Sequence, residues 1–181
     1  MKKKFLIKFL VLSLSVLCFV LSVFVASFKL VYPLGYITII EKNAQQYGLD
    51  KHLVQAVIKA ESSYNETAKS IKGARGLMQI MPSTAEFIAK ELELNNFSID
   101  MLYNPEINIQ MGCFYLRYLF DRYEDETRVL FCYNAGEGML QKLYSKDAEL
   151  DVDRIIIDET RNYIKIIQKS KQVYKNLDAI I

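Results

Sequence analysis

The sequence predicts an all-α chain: one helical domain preceded by an N-terminal transmembrane helix. Three observations predict it. Phe9 to Phe28 is a run of twenty residues without a charge, enough to span a bilayer as a helix. Beyond it, apolar residues recur at helical spacing between capping residues. No two alternating segments are joined by hairpin turn chemistry, and the sequence carries no internal repeat.

Lys2, Lys3, Lys4 and Lys8 precede the apolar run, and only Lys29 closely follows it. That bias places the N-terminus in the cytoplasm and the remainder outside. A secretory signal has a shorter apolar region and a small-residue cleavage site, of which Val25-Ala26-Ser27 is a weak version. The expectation is therefore a retained single-pass anchor in the cytoplasmic membrane over residues 1–30, with an extracytoplasmic domain; cleavage would make that domain secreted. Leu17 stands where a lipoprotein signal has a small residue, so Cys18 reads as one more apolar residue of the span. Tyr32-Pro33-Leu34-Gly35-Tyr36 lies in a linker, 31–36, and 37–181 has the length of one domain with a proper core.

Five of the 23 Lys and Arg fall in the first 30 residues, leaving 18 against 21 Asp and Glu, a net charge of −3. The basic pI is thus an anchor effect, and no basic stripe suggests nucleic acid. Aromatic residues are plentiful, with 12 Tyr, 10 Phe and no Trp, and suit both core and sugar-facing surface. A single His and the absence of a CxxC pair leave no zinc site, and nothing implies a cofactor. Cys113 and Cys132 sit in apolar helical stretches and read as buried thiols.

The first domain helix runs from about Ile37 to Tyr47 and stops at Gly48. Asp50 caps the next, whose apolar face of Leu53, Val54, Ala56, Val57, Ile58 and Ala60 ends at Glu61. A carboxylate at that end meets the negative pole of the helix dipole, which favours its protonated form. His52 is placed on the solvent side of the helix start. Residues 62–82 read as irregular, with Gly73 and Gly76 as punctuation and Pro82 as a stop. Ser83 and Glu86 have the spacing of a capping box opening a helix from Thr84 to Leu92. Asn104 caps a long helix with Pro105 at its first position and Ile107, Met111, Phe114, Tyr115, Tyr118 and Leu119 on a helical period. Two shorter helices bracket Tyr133-Asn134-Ala135-Gly136, and a last one runs from about Glu159 through Ile164, Ile167 and Val173.

Four pieces stand out in order: Glu61-Ser62-Ser63-Tyr64-Asn65, Gly76-Leu77-Met78-Gln79-Ile80-Met81-Pro82, Tyr133-Asn134-Ala135-Gly136-Glu137-Gly138 and Glu159-Thr160-Arg161-Asn162-Tyr163. In that order, with eighteen residues from Glu61 to Gln79, they resemble the soluble lytic transglycosylase (SLT) domain family, the goose-type-lysozyme-like group. The resemblance covers about Tyr36 to Val173. It implies a lysozyme-like helical domain that acts on peptidoglycan glycan strands, without metal or other cofactor. Glu61 takes the family's catalytic role. As an acid it protonates the bond between N-acetylmuramic acid and N-acetylglucosamine. As a base it then deprotonates the muramyl C6 hydroxyl, which closes a 1,6-anhydro ring.

By the same resemblance, Tyr133 is the tyrosine whose hydroxyl lies near the catalytic Glu, and Asn134 to Gly136 form the turn that places it. Gln79, Met81, Ser70 and Glu159 match positions lining the glycan groove, and Ser62 supports Glu61. Cys132 stands where the family commonly has Ala, and Glu137 where it often has Pro, which can alter the turn or add charge near the groove. A two-carboxylate glycosidase needs a partner for its acid. Glu66, Glu86, Glu137 and Glu159 are the nearest in sequence, but none is tied to Glu61 by helical spacing. Two alternatives stay open at this point: a muramidase hydrolase on the same fold, and a non-catalytic anchored scaffold that binds peptidoglycan. Protein partners and the process served are not legible.

Overall fold

A computed structural model of the chain describes residues 2–146 and 158–180. Residues 1, 147–157 and 181, which the predicted anchor and domain include, lie outside the described residues. The chain divides into two units, Met1–Leu34 and Gly35–Ile181.

The first unit is helix α1, Lys2–Val31. Its stretch Ile7–Val31 has a mean hydropathy of 2.8 and is long and apolar enough to cross a membrane. Ser13, Ser15 and Ser22 do not break the helix, because each hydroxyl donates to the carbonyl three residues back, at Leu10, Leu12 and Phe19.

The second unit is helical among its described residues, with two isolated bridges and no strand. Helix α2, Ile37–Gln46, buries Ile40, Asn43 and Ala44 and ends at a turn through Gly48, whose φ of 61° suits glycine. Helix α3, Lys51–Ser62, starts where the Asp50 carboxylate accepts from the His52 backbone N–H. Six consecutive residues, Leu53 to Ile58, are buried, so α3 is packed on every side rather than along one stripe. His52 is not simply a solvent-side residue. Its ring nitrogens lie 3.0 Å from Asp50 and 3.2 Å from Asp178, at the far end of the last helix.

Helix α4 departs from expectation. It spans Pro82–Glu91 with Met81 at its N-cap and no side-chain cap, so Pro82 starts a helix instead of stopping one, and the Ser83–Glu86 box does not form. The physical reason is that a proline at the first helical position lacks only an N–H that would have no partner. A 3-10 turn, Ile99–Tyr103, leads into helix α5, Pro105–Tyr123. There the Asn104 side chain accepts from Glu106 and Ile107 as its sequence predicts. Asn104→Ala should destabilise the fold by about 1 kcal/mol, read as a lower urea midpoint with an unchanged slope.

Helices α6, Glu126–Ala135, and α7, Glu137–Lys146, are separated by Gly136 alone, and α8 spans Asp158–Asp178. Helix α8 lies along α3, while α5 packs against α2, α4 and α6. The core between them holds Leu77, Met78, Ile88, Met111, Leu116, Phe131 and Ile167. Cys113 and Cys132 are buried free thiols, as expected.

Candidate functional site

Glu61 occupies the last turn of α3, which is followed at once by Ser63 in the left-handed conformation. This helix is central, so its C-terminal turn carries Glu61 into the domain, where the carboxyl is half-buried. The Tyr163 hydroxyl, delivered by α8 from 102 residues away, donates to Glu61 Oε1 at 2.6 Å. Burial pushes the Glu61 carboxyl up to about 7, and the Tyr163 hydrogen bond partly opposes that rise. No carboxylate among the described residues is a cause of this shift. Burial likewise holds the phenols of Tyr133 and Tyr163 well above their ordinary value, with the Glu61 charge adding to it, so both remain donors.

The segment facing this helix end is pinned by several hydrogen bonds. The Ser62 hydroxyl donates to the Leu77 carbonyl at 2.8 Å, and the Tyr133 hydroxyl to the Met78 carbonyl at 2.9 Å. Gln79 sits at φ 47°, and its amide N–H group donates to the Ala68 and Gly76 carbonyls. Buried Asn108 on α5 ties the same segment from below. Its oxygen accepts from Met78 N at 2.7 Å, and its amide donates to Arg75 and Leu102 carbonyls at 2.9 and 2.8 Å. Gly76, at φ 76°, lies directly against these groups; a Cβ there would overlap the Leu102 carbonyl and the Asn108 amide.

A cleft of about 280 Å³ opens beside this segment, lined among others by Lys72, Gln79, Met81, Thr84, Tyr133 and Asn134. The structure thus gathers Gln79, Met81, Tyr133 and Asn134 around one cavity. Glu61 is not among its lining residues. Its charge acts on Tyr133, which does line the cavity. Ser62 supports the segment behind. Ser70 accepts from the Ala74 N–H and stabilises the loop, and it does not line the cleft. Glu159 is exposed on α8; its neighbour Thr160 is the residue that turns inward, donating to the Asn134 side chain at 3.0 Å. Asn134 and Tyr133 belong to the last turn of α6, not to a separate loop.

Two residues of the site carry no role in the sequence reading. Tyr163 was visible only as the end of the fourth motif piece, and Asn108 only as a polar residue between Ile107 and Ile109 on an apolar helix. Tyr163→Phe removes the one interaction that lowers the Glu61 carboxyl, so that carboxyl should titrate still higher. If Glu61 acts as an acid, the alkaline limb of the rate profile moves up in pH. The maximal rate should drop by roughly tenfold or less, the worth of one hydrogen bond.

Comparison with known proteins bears on the family and the fold. Residues 38–156 match the family "Transglycosylase SLT domain". The chain is 29% identical over 168 residues to the membrane-bound lytic murein transglycosylase C of Glaesserella parasuis, covering 78% of this chain and 46% of that one. It is 31% identical to the soluble lytic murein transglycosylase of Escherichia coli, covering 80% of this chain and 23% of the relative. The crystal structure of the 70 kDa soluble lytic transglycosylase SLT70 from Escherichia coli superposes with a TM-score of 0.73 at 30% identity, over 81% of this chain and 25% of that one. An inactive Glu-to-Gln mutant of the Pseudomonas aeruginosa lytic transglycosylase Slt gives 0.74 at 25% identity, over 82% and 25%. The chain therefore spans about half the length of the membrane-bound relatives and a quarter of the soluble ones. With the family match extending over most of the helical unit and the fold shared with solved members, this chain belongs to the transglycosylase SLT domain family.

Proposed function

We propose that this chain is a membrane-anchored peptidoglycan lytic transglycosylase in which Glu61 is the single general acid and base. One observation carries the reading. A carboxyl raised to about 7 by burial takes its only side-chain hydrogen bond among the described residues from Tyr163, with no partner carboxylate acting on it. A group with that pKa can donate and recover a proton near neutral pH. The inactive Glu-to-Gln mutant of the Pseudomonas aeruginosa relative supports it.

In the acid form, Glu61 Oε1 accepts from Tyr163, which directs the carboxyl proton to Oε2. That proton goes to the glycosidic oxygen as the C1–O4 bond of the muramyl residue breaks, and N-acetylglucosamine leaves as the alcohol. The carboxylate formed then takes the proton of the muramyl C6 hydroxyl as O6 bonds to C1. The ring closes to the 1,6-anhydro sugar, Glu61 is again protonated, and no water is consumed. Gln79, Met81 and Asn134 supply a carbonyl oxygen, an apolar face and an amide to the acetamido and hydroxyl groups of the strand, Ser62 and Ser70 hold the surrounding loop, and Thr160 rather than the exposed Glu159 ties the start of α8 to Asn134.

Helix α1, apolar enough to cross a membrane, is the proposed anchor, and the lysine bias proposes an extracytoplasmic domain. Purified sacculi treated with the enzyme should release muropeptides with anhydromuramyl ends by mass spectrometry. Products with reducing ends instead would make the chain a hydrolase, and no release at all a scaffold.

A further inference from the structure

Four side-chain hydrogen bonds tie the stretches of chain that meet at Glu61 into a closed circuit. Ser62 donates to the Leu77 carbonyl at 2.8 Å, and Tyr133 to the carbonyl of the next residue, Met78, at 2.9 Å. Thr160 donates to Asn134, the residue after Tyr133, at 3.0 Å, and Tyr163 closes the circuit on Glu61, the residue before Ser62, at 2.6 Å. Three joints of the circuit, 61–62, 77–78 and 133–134, are single peptide links, across which neighbouring Cα atoms stay about 3.8 Å apart. The fourth joint, from Thr160 to Tyr163, is one turn of α8.

That joint lies where a helix holds itself least firmly. Helix α8 starts at Asp158, so Thr160 belongs to its first turn, whose N–H groups have no partner within the helix. One face of α8 is buried through Ile164, Ile167, Ser170 and Tyr174, and Thr160, 3% exposed, is the member of that face nearest the helix start. The apolar members hold α8 against α3, but burial is non-directional and leaves the angle of the first turn free. The Thr160 hydroxyl supplies direction, because its acceptor sits at the end of a different helix, α6. Tyr163, three residues on, follows the turn that Thr160 fixes. A displacement of about 0.5 Å would carry the short bond to Glu61 beyond the usual O–H···O range.

We infer that Thr160 is a positioning residue of the reaction, holding the first turn of α8 on Asn134 so that the Tyr163 hydroxyl reaches Glu61. The inference rests on the proposed role of Glu61 as acid and base. Thr160 does not line the cleft and acts through Asn134 and Tyr163.

The test follows the Glu61 carboxyl itself, by carbon NMR of the full chain in detergent with labelled glutamate, the signal being identified by its loss in Glu61→Gln. The titratable groups that face Glu61 are the phenols of Tyr163 on α8 and Tyr133 on α6, so the carboxyl's midpoint reads the Tyr163 bond. From about 7 in the unsubstituted protein, Thr160→Val, which keeps the side chain's shape, should raise it by about half a pH unit. Thr160→Ser, which keeps the hydroxyl, should leave it in place. In a Tyr163→Phe background, Thr160→Val should add no further shift. On sacculi, Thr160→Val should lower kcat by about two- to tenfold and move the alkaline limb of kcat/KM up with the NMR midpoint. Three results overturn the inference: an unmoved midpoint in Thr160→Val, an equal shift with and without the Tyr163 hydroxyl, or Thr160→Ser behaving like Thr160→Val. Loss of the fold in both Thr160→Val and Thr160→Ala would make the bond a clasp for the whole domain and overturn it too. If the midpoint moves as expected but the unsubstituted enzyme releases no anhydromuropeptides, only the transglycosylase reading falls. If they are released and the midpoint stays, only the positioning role falls.

Discussion

Glu61→Gln should lower turnover of peptidoglycan by roughly 10³-fold or more while making the protein more stable at pH 8. The rate loss follows from removing one group used twice, as acid and as base, each role being worth about 10² to 10⁴. The gain in stability follows from burial. With the folded carboxyl raised to about 7 from its ordinary 4.5, the unfolded chain gives up this proton at lower pH than the folded one. Below pH 4.5 the carboxyl is protonated in both states and nothing is lost. Between 4.5 and 7 the folded state binds more protons, so stability declines as pH rises, and above 7 the penalty is complete at about 1–3 kcal/mol. Glutamine escapes the penalty and still accepts from Tyr163. Melting temperatures of the two proteins should therefore coincide near pH 4 and differ by several degrees at pH 8. A glutamine variant that is less stable at pH 8 would mean that the Glu61 charge is not buried at a cost.

Asn108→Ala should be the most damaging single change to the fold. It deprives the Met78 N–H and the Arg75 and Leu102 carbonyls of the partner they share, in a buried place where water does not replace it. The Arg75 carbonyl keeps its bond from the Ile80 N–H, so two groups are left unpaired. At about 1–3 kcal/mol each, the cost is roughly 2–6 kcal/mol, a large part of a domain's total stability. Urea unfolding measures it. Because the same three contacts place the segment carrying Met78 and Gln79, any folded fraction should also bind glycan poorly. A loss below about 1 kcal/mol would show that the segment is held by its own turn.

The contrast between these two residues shows what the sequence makes legible. The position of Glu61 at the end of an apolar helix was readable because that pattern is local, running from the Asp50 cap to the last turn of α3; the role proposed for it came from the resemblance of four separated motif pieces. Caps at Asp50 and Asn104 were readable for the same reason, since each bonds to N–H groups two or three residues on. Pro82 was misread because a proline that ends one segment and a proline that opens a helix look alike until the chain direction after it is known. Asn108 and Tyr163 act across 30 and 102 residues of chain, to Met78 and Glu61, and no local pattern encodes which distant group they will meet. Glu159 illustrates the reverse: the motif drew attention to the carboxylate, yet helix α8 turns Thr160 inward and leaves Glu159 in solvent.

Whether C6 oxygen or water attacks C1 is the point on which the single-carboxylate account stands or falls. Digestion of purified sacculi in water enriched in the heavy oxygen isotope of mass 18 decides it, with the released muropeptides weighed by mass spectrometry. The account predicts anhydromuramyl products that carry no heavy oxygen. One heavy oxygen at the muramyl C1 of each released product would contradict it.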